Sequence, residues 1–224
     1  MFVITADQVD SRSRPDIVGS TLLLLNTRYR STLLLPVDRN AGDEIQALTD
    51  DAGTALTLVL ELTRSNSWSV GLGIGSVRHP LPAETREASG DAFIAARTAV
   101  ERAKKTPTRF SVEEVSHAPD PKAQPGTQAQ PGAQAWPSAS DAESLINLAL
   151  LIRERRSDAG WELYDLVTTG MTQAEAAEHL GITPPSASAR ARAAGTRIEL
   201  AAHASLTRLL ETVDRVNTRT DPQE

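Results

Sequence analysis

The sequence predicts two units of different class: an α+β sheet domain over 1–116 and an all-α helix-turn-helix domain over 141–224. Three observations carry this. Strand-like and helical runs alternate through the first half. The stretch 117–140, HAPDPKAQPGTQAQPGAQAWPSAS, holds five prolines, two glycines and an imperfect AQPG repeat, a composition that builds linkers rather than cores. Beyond it, apolar residues recur at helical spacing, and capping signals flank a tight glycine corner within 172–195.

The first unit reads in order as a strand at 2–5, a helix at 17–30, and strands at 32–37 and 45–48 around the polar connection 38–44. A helix at 52–63, a strand at 69–74, a helix near 88–105 and a strand at 109–115 complete it. This is a βαββαβ order extended by one helix and one strand, the pattern of an α+β sheet domain. The leucine runs at 22–25 and 33–35 are too short to cross a bilayer and fit a soluble core. Asp7 interrupts the first apolar run, which makes a poor signal peptide. A cytoplasmic location is expected.

In the second unit, Ser140 and Glu143 form an S-x-x-E cap for a helix at 141–155 with a Leu/Ile stripe. A helix at 160–167 follows, with Trp161 and Tyr164 read as core or hinge residues. The last helix, 198–216, presents Leu206, Leu209, Leu210, Val213 and Val216. These either pack within the chain or mediate a dimer. Trp136, alone in the linker, is expected to dock on a neighbouring domain, and the linker to let the helical unit move.

Thr172–Gly195 reads TQAEAAEHLGITPPSASARARAAG. Thr172 caps a first helix and Glu175 completes a capping box. Ala176, Ala177 and Leu180 give that helix an apolar face, and Gly181 lets the chain turn. Ile182 plugs the corner, Thr183 caps the next helix, and Pro184 stands where a missing N–H costs nothing. Ala187 and Ala191 permit close packing. Thr183 thereby anchors a recognition helix on which Pro185, Ser186, Ser188 and Ala189 probe a DNA groove. Arg190 or Arg192 contacts phosphate or a base edge, and Arg197 positions the backbone. The chain carries a formal charge of −6, yet 183–197 holds three arginines and no acid. A small basic face on an acidic protein suits selective binding of double-stranded DNA over general polyanion binding. The competing reading is a helical hairpin with an alanine-rich seam.

A second site is suggested by carboxylates. Asp7 ends the first strand and Asp43-Glu44 starts the third, so one sheet edge would gather three hard oxygen donors. That set suits Mg²⁺ and, through it, the phosphates of a nucleotide. Alternatively Asp43 serves the turn and Glu44 is solvated. The glycines of VGLGIG (70–75) allow close approach by a helix or a ligand, but neither a Rossmann loop nor a Walker lysine follows them. Arg97 reads as a surface ion-pair partner. With no cysteine and four scattered histidines, disulfides are excluded and a zinc site is unsupported. No catalytic residue is assigned.

Together, ITADQVDSR (4–12), GDEIQAL (42–48), VGLGIGSV (70–77), GDAFIAAR (90–97) and the C-terminal helix-turn-helix resemble the bacterial SatD family. The likeness spans most of the chain outside the linker. It implies a ferredoxin-like or palm-like, nucleotide-cyclase-like N-terminal domain, joined to an all-α helix-turn-helix C-terminal domain like that of sigma factors. It makes Asp7 the first-strand acid and Asp43-Glu44 the acidic hairpin pair, and places Ser188, Arg190 and Arg192 on the recognition helix. The chain departs from the family pattern at Ala6, where glycine is common, and at Asp10, near another common glycine. The expected function is transcriptional regulation by a nucleoid-associated homo-oligomer whose N-terminal domain senses or oligomerises. A Mg²⁺-dependent nucleotide enzyme with a DNA-targeting module, and a structural protein-interaction module, are the alternatives.

Overall fold

Alternating side chains in the first strand, Phe2, Ile4 and Ala6 against Val3, Thr5 and Asp7, require a sheet covered on both faces. The computed structural model, which describes residues 1–115 and 136–219, builds that arrangement. Five strands, β1 (Phe2–Gln8), β2 (Leu35–Ala41), β3 (Glu44–Thr49), β4 (Trp68–Ile74) and β5 (Phe110–Glu114), form one sheet in the order β2-β3-β1-β4-β5. β1 runs antiparallel to both β3 and β4, and β5 lies parallel to β4. Helices α1 (Val18–Tyr29), α2 (Ala52–Thr63) and α3 (Asp91–Ala103) connect them. A mixed α/β unit is thus followed by an all-helical region: α4 (Ala139–Glu154), α5 (Asp158–Thr168), α6 (Gln173–His179), α7 (Pro184–Ala193) and α8 (Thr196–Arg219).

The expected seven-residue connection between the second and third strands is instead a tight hairpin. β2 continues to Ala41, and Gly42-Asp43 alone turn the chain, with Gly42 at φ 55°, a left-handed conformation that glycine adopts without strain. Asp10, near the glycine that the family resemblance expects, also takes a positive φ, of 55°.

One sheet face carries Phe2, Ile4, Ile45, Leu72, Ile74, Phe110 and Val112, packed with the buried side of α2. The other face carries Val3 and Leu48 and receives Ala92 and Ala96 of α3. Gly71 and Gly73 are what let α3 approach: a Cβ on Gly73 would lie 2.1 Å from the Ala92 carbonyl oxygen, and one on Gly71 2.2 Å from the Val100 nitrogen. The VGLGIG glycines therefore serve helix packing. Of the leucine runs, Leu25 is fully buried, whereas Leu23 and Leu24 are exposed.

The core does not stop at the linker. Ala142, Ile146 and Leu150 of α4 and Leu206, Leu210 and Val213 of α8 belong to the same buried cluster as Phe2, Ile4 and Phe110. Asn217 Nδ2 further donates to the Ile74 carbonyl at 3.1 Å. A helical unit free to move as a whole does not describe these two helices, because the apolar sheet face needs them as cover. Most of 117–140 lies outside the described residues. Trp136, expected to dock, is 67% exposed.

The cap of α4 also differs from the sequence expectation. Ser138 and Asp141, not Ser140 and Glu143, form the capping box. Glu143 is taken instead by β5, accepting from the Val112 N–H at 2.6 Å and from Arg102 at 2.6 and 2.7 Å. Two equivalent S-x-x-acid registers were available, and an edge-strand donor claimed one acid. Among the described residues no helix is long and apolar enough to cross a membrane.

Candidate nucleic-acid interface

Helices α5, α6 and α7 enclose a small core of their own. Leu163 is fully buried among Ala176, Ala177, Ala187 and Ala191, with Leu166, Val167, Leu180 and Ile182 against them. Alanine at each α6–α7 contact brings the two helix backbones close, as the sequence pattern expects.

Both predicted caps form. Thr172 accepts from the Glu175 N–H at 3.2 Å while Glu175 accepts from the Thr172 N–H at 2.7 Å. Donation from the Thr172 N–H and hydroxyl holds the Glu175 carboxyl below its ordinary pKa. Gly181 takes φ 62° at the corner, and the Ile182 N–H closes the first helix on the Ala177 carbonyl at 3.0 Å. Thr183 then accepts from the Ser186 N–H at 3.3 Å, with Pro184 and Pro185 opening α7.

On α7, Ala187 and Ala191 face inward. Thr183, Pro185, Ser186, Ala189 and Arg192 are exposed, and Ser188 and Arg190 are half-buried. Arg190 lies 3.8 Å from Glu162 of α5. Arg197, exposed at the start of α8, donates to Gln173 at 3.3 Å. Ser188, Arg192, Arg197 and Gln173 together line a groove of about 260 Å³ between α7 and its neighbours. Three of the eight candidate DNA contacts thus converge with a glutamine that sequence reasoning passed over. Gln173 is the first residue of its helix, where nothing distinguishes a functional amide from a solvated one.

Sequence reasoning also missed the device that orients this unit. Arg153 of α4 and Arg156, just after that helix, are both buried and share one buried carboxylate, Glu199 of α8. Arg153 also donates to the Leu60 carbonyl at the end of α2, at 2.9 Å, and Arg156 to the Ala194 carbonyl at the end of α7, at 3.0 Å. Each guanidinium therefore meets carbonyls that a helix C-terminus leaves unbonded, at the negative pole of that helix. Trp161 stacks against both, with ring centroids 4.7 and 4.3 Å from the Arg153 and Arg156 guanidinium carbons, which adds cation–π attraction. Tyr164 donates to Glu199 at 2.7 Å, and burial together with that bond raises its hydroxyl pKa. Arg64, the residue that caps the end of α2, adds a two-pronged ion pair to Asp165 of α5, at 2.8 and 2.7 Å. In the sequence RERR (153–156) the two buried arginines look like solvated charges; no periodicity separates them from Arg155.

The carboxylate edge has a different outcome. Asp7 and Glu44 are register partners across β1 and β3, so strand end and hairpin do meet as expected. Cations from α3 occupy them. Arg97 bonds buried Glu44 at 2.7 Å, Asn40 takes the other Glu44 oxygen at 2.5 Å, and Lys104 reaches Asp7 at 3.1 Å. Burial opposes the charge on Lys104, but bonds to Glu101 and Asp7 leave its pKa raised. Asp43 sits in the turn, where its carbonyl accepts from the Gln8 N–H at 3.1 Å. Among the described residues no group of three His, Cys, Asp or Glu side chains is placed to hold a metal ion. With Arg97 and Lys104 already paired to it, the donor set does not fit Mg²⁺. Arg14, Arg28 and Arg39 pair with Asp10, Glu61 and Asp16.

Comparison with family models, curated proteins and solved structures finds no match for this chain.

Proposed function

We propose that the chain is a sequence-reading transcriptional regulator that binds double-stranded DNA through α7, with the sheet unit as its sensory or oligomerising part. The carrying observation is the doubly capped α6–α7 pair, whose outward side presents Pro185, Ser186, Ala189 and Arg192 beside a groove shared by Ser188 and Arg197. Serine and arginine side chains on an exposed helix supply base-edge and phosphate donors, and two prolines at its start leave no N–H donors wasted. Thr183 fixes the entry angle. Arg190, half-buried beside Glu162, suits a backbone contact more than a base contact.

A ferredoxin-like, palm-type reading of the sheet, as the SatD resemblance implies, is supported by the strand order β2-β3-β1-β4 with antiparallel neighbours; function does not follow from fold. The cation-filled Asp7–Glu44 edge favours the regulator over a Mg²⁺-dependent nucleotide enzyme.

The test is salt-dependent binding of the full chain to its own upstream duplex and to a scrambled duplex. Arg192→Ala plus Arg197→Ala should weaken the preferred complex and reduce the slope of log K against log salt by roughly 2, one unit per lost phosphate contact. An unchanged affinity and slope would remove α7 as the DNA-reading helix.

A further inference from the structure

The last helix offered a dimer surface in the sequence, but the fold consumes it: Leu206, Leu210 and Val213 are buried in the sheet core. A different apolar surface is left open. On α4, Leu145, Leu148, Leu151 and Ile152 are 48, 58, 40 and 39% exposed. They lie on one side of the helix, opposite the buried row Ala142, Ile146, Leu150 and Arg153. Four large aliphatic side chains on about two turns make a patch of the kind that marks a protein interface.

The order of residues along that face says what covers it. At 100° per residue, Asp141, Ser144, Leu145, Leu148, Leu151, Ile152 and Arg155 fall within about 60° of Leu148, and all seven are exposed. The face is an acid at one end, aliphatic in the middle and a base at the other, with Asp141 and Arg155 equally far from Leu148. An antiparallel copy of the same helix, turned about a two-fold axis at Leu148, sets Leu148 against itself and Leu145 against Leu151. It also sets Asp141 against the partner's Arg155 at both ends. A two-fold interface must be self-complementary, and this face is so in its end charges and in its Leu145, Leu148 and Leu151 row, with Ser144 opposite Ile152. A parallel pairing would oppose like charges, at a cost.

We infer that the chain forms a two-fold dimer through α4, with a second copy as the partner. This goes beyond the DNA reading and does not depend on it. Its test uses the absence of cysteine from the chain. A single Leu148→Cys places a thiol on the proposed axis, and mild oxidation should convert the full-length protein to a covalent dimer. Leu23→Cys, at an exposed leucine on α1, should cross-link at least tenfold more slowly. In sedimentation equilibrium the native chain should be dimeric at micromolar concentration and Leu148→Glu monomeric, with unchanged circular dichroism because the site is exposed. A monomeric native chain overturns the inference, as does a dimer that survives Leu148→Glu or equal cross-linking at both cysteines. A monomer whose α4 face is capped by another protein would appear as the first of these.

Discussion

Around the sheet the core is filled by Phe2, Ile4, Leu72 and Phe110, and a helix is drawn onto glycines until backbone meets backbone. Within α5–α7 the core is mostly alanine around one fully buried Leu163. The first arrangement derives its strength from apolar burial and has no spare volume. The second buries little and relies on end-caps, a glycine corner and a charged hub. That difference suits a sheet unit acting as a platform and a small helical unit presenting an exposed face. Arg153, Arg156 and Glu199 sit where the two meet: Arg153 donates to the Leu60 carbonyl, Arg156 to the Ala194 carbonyl, and Glu199 accepts from both arginines.

The largest test of this contrast is at the joint. Glu199→Ala leaves two buried guanidinium groups without their carboxylate, a loss of about 3–5 kcal/mol. Denaturant unfolding, read at Trp68 in the sheet core and Trp161 in the hub, should remain one transition at a lower midpoint. Two separate transitions would mean that the hub, and not the core shared by α4 and α8, unites the halves.

Next come the halves themselves. Gly73→Ala forces a Cβ against the Ala92 carbonyl and should cost about 3 kcal/mol, since neither backbone can yield cheaply. Thr183→Ala removes only the cap of α7 and should cost about 1 kcal/mol; on the proposed function it also lowers DNA affinity, because the helix entry loosens. Thermal melts of both variants decide this, and equal losses would erase the contrast between a tight platform and a capped module.

The smallest effect concerns His203 of α8, in a cleft of about 740 Å³ between α1, α2, α5 and α8. Burial lowers its pKa, opposed by Glu199 and aided by Arg153, and its Nε2 lies 3.3 Å from Thr57 Oγ1. Because the folded pKa is depressed, its contribution is intact above about pH 6.5 and declines as pH falls through the lower folded value. His203→Gln should therefore flatten the stability profile between neutral and mildly acidic pH, by less than about 1 kcal/mol. An identical slope in both proteins would show that His203 titrates as an exposed imidazole does.

Much of the α6–α7 pair was legible because its determinants are local. Thr172 with Glu175, Gly181, and Thr183 with Pro184 act within four residues of chain, so sequence and structure coincide at each. The strands were legible as alternation, though the hairpin proved tighter than the composition of 38–44 suggests. The partners of charges were not legible. Glu143 looked like a capping acid and became the acceptor for β5; Asp7 and Glu44 looked like metal ligands and received Lys104 and Arg97.

By itself, then, the sequence determined the strand and helix order, the caps of α6 and α7, the corner between them, and the basic, acid-free run on the exposed side of α7. These depend on backbone preference and on contacts three or four residues apart. Tertiary structure alone decided that α8 turns its leucines into the sheet core, that α4 keeps an apolar face outside, and that two arginines of a charged run are buried on one glutamate. Those outcomes depend on which surfaces meet across more than forty residues of chain. Burial acts on area without regard to sequence distance, and a buried charge takes whichever partner the packing brings within reach.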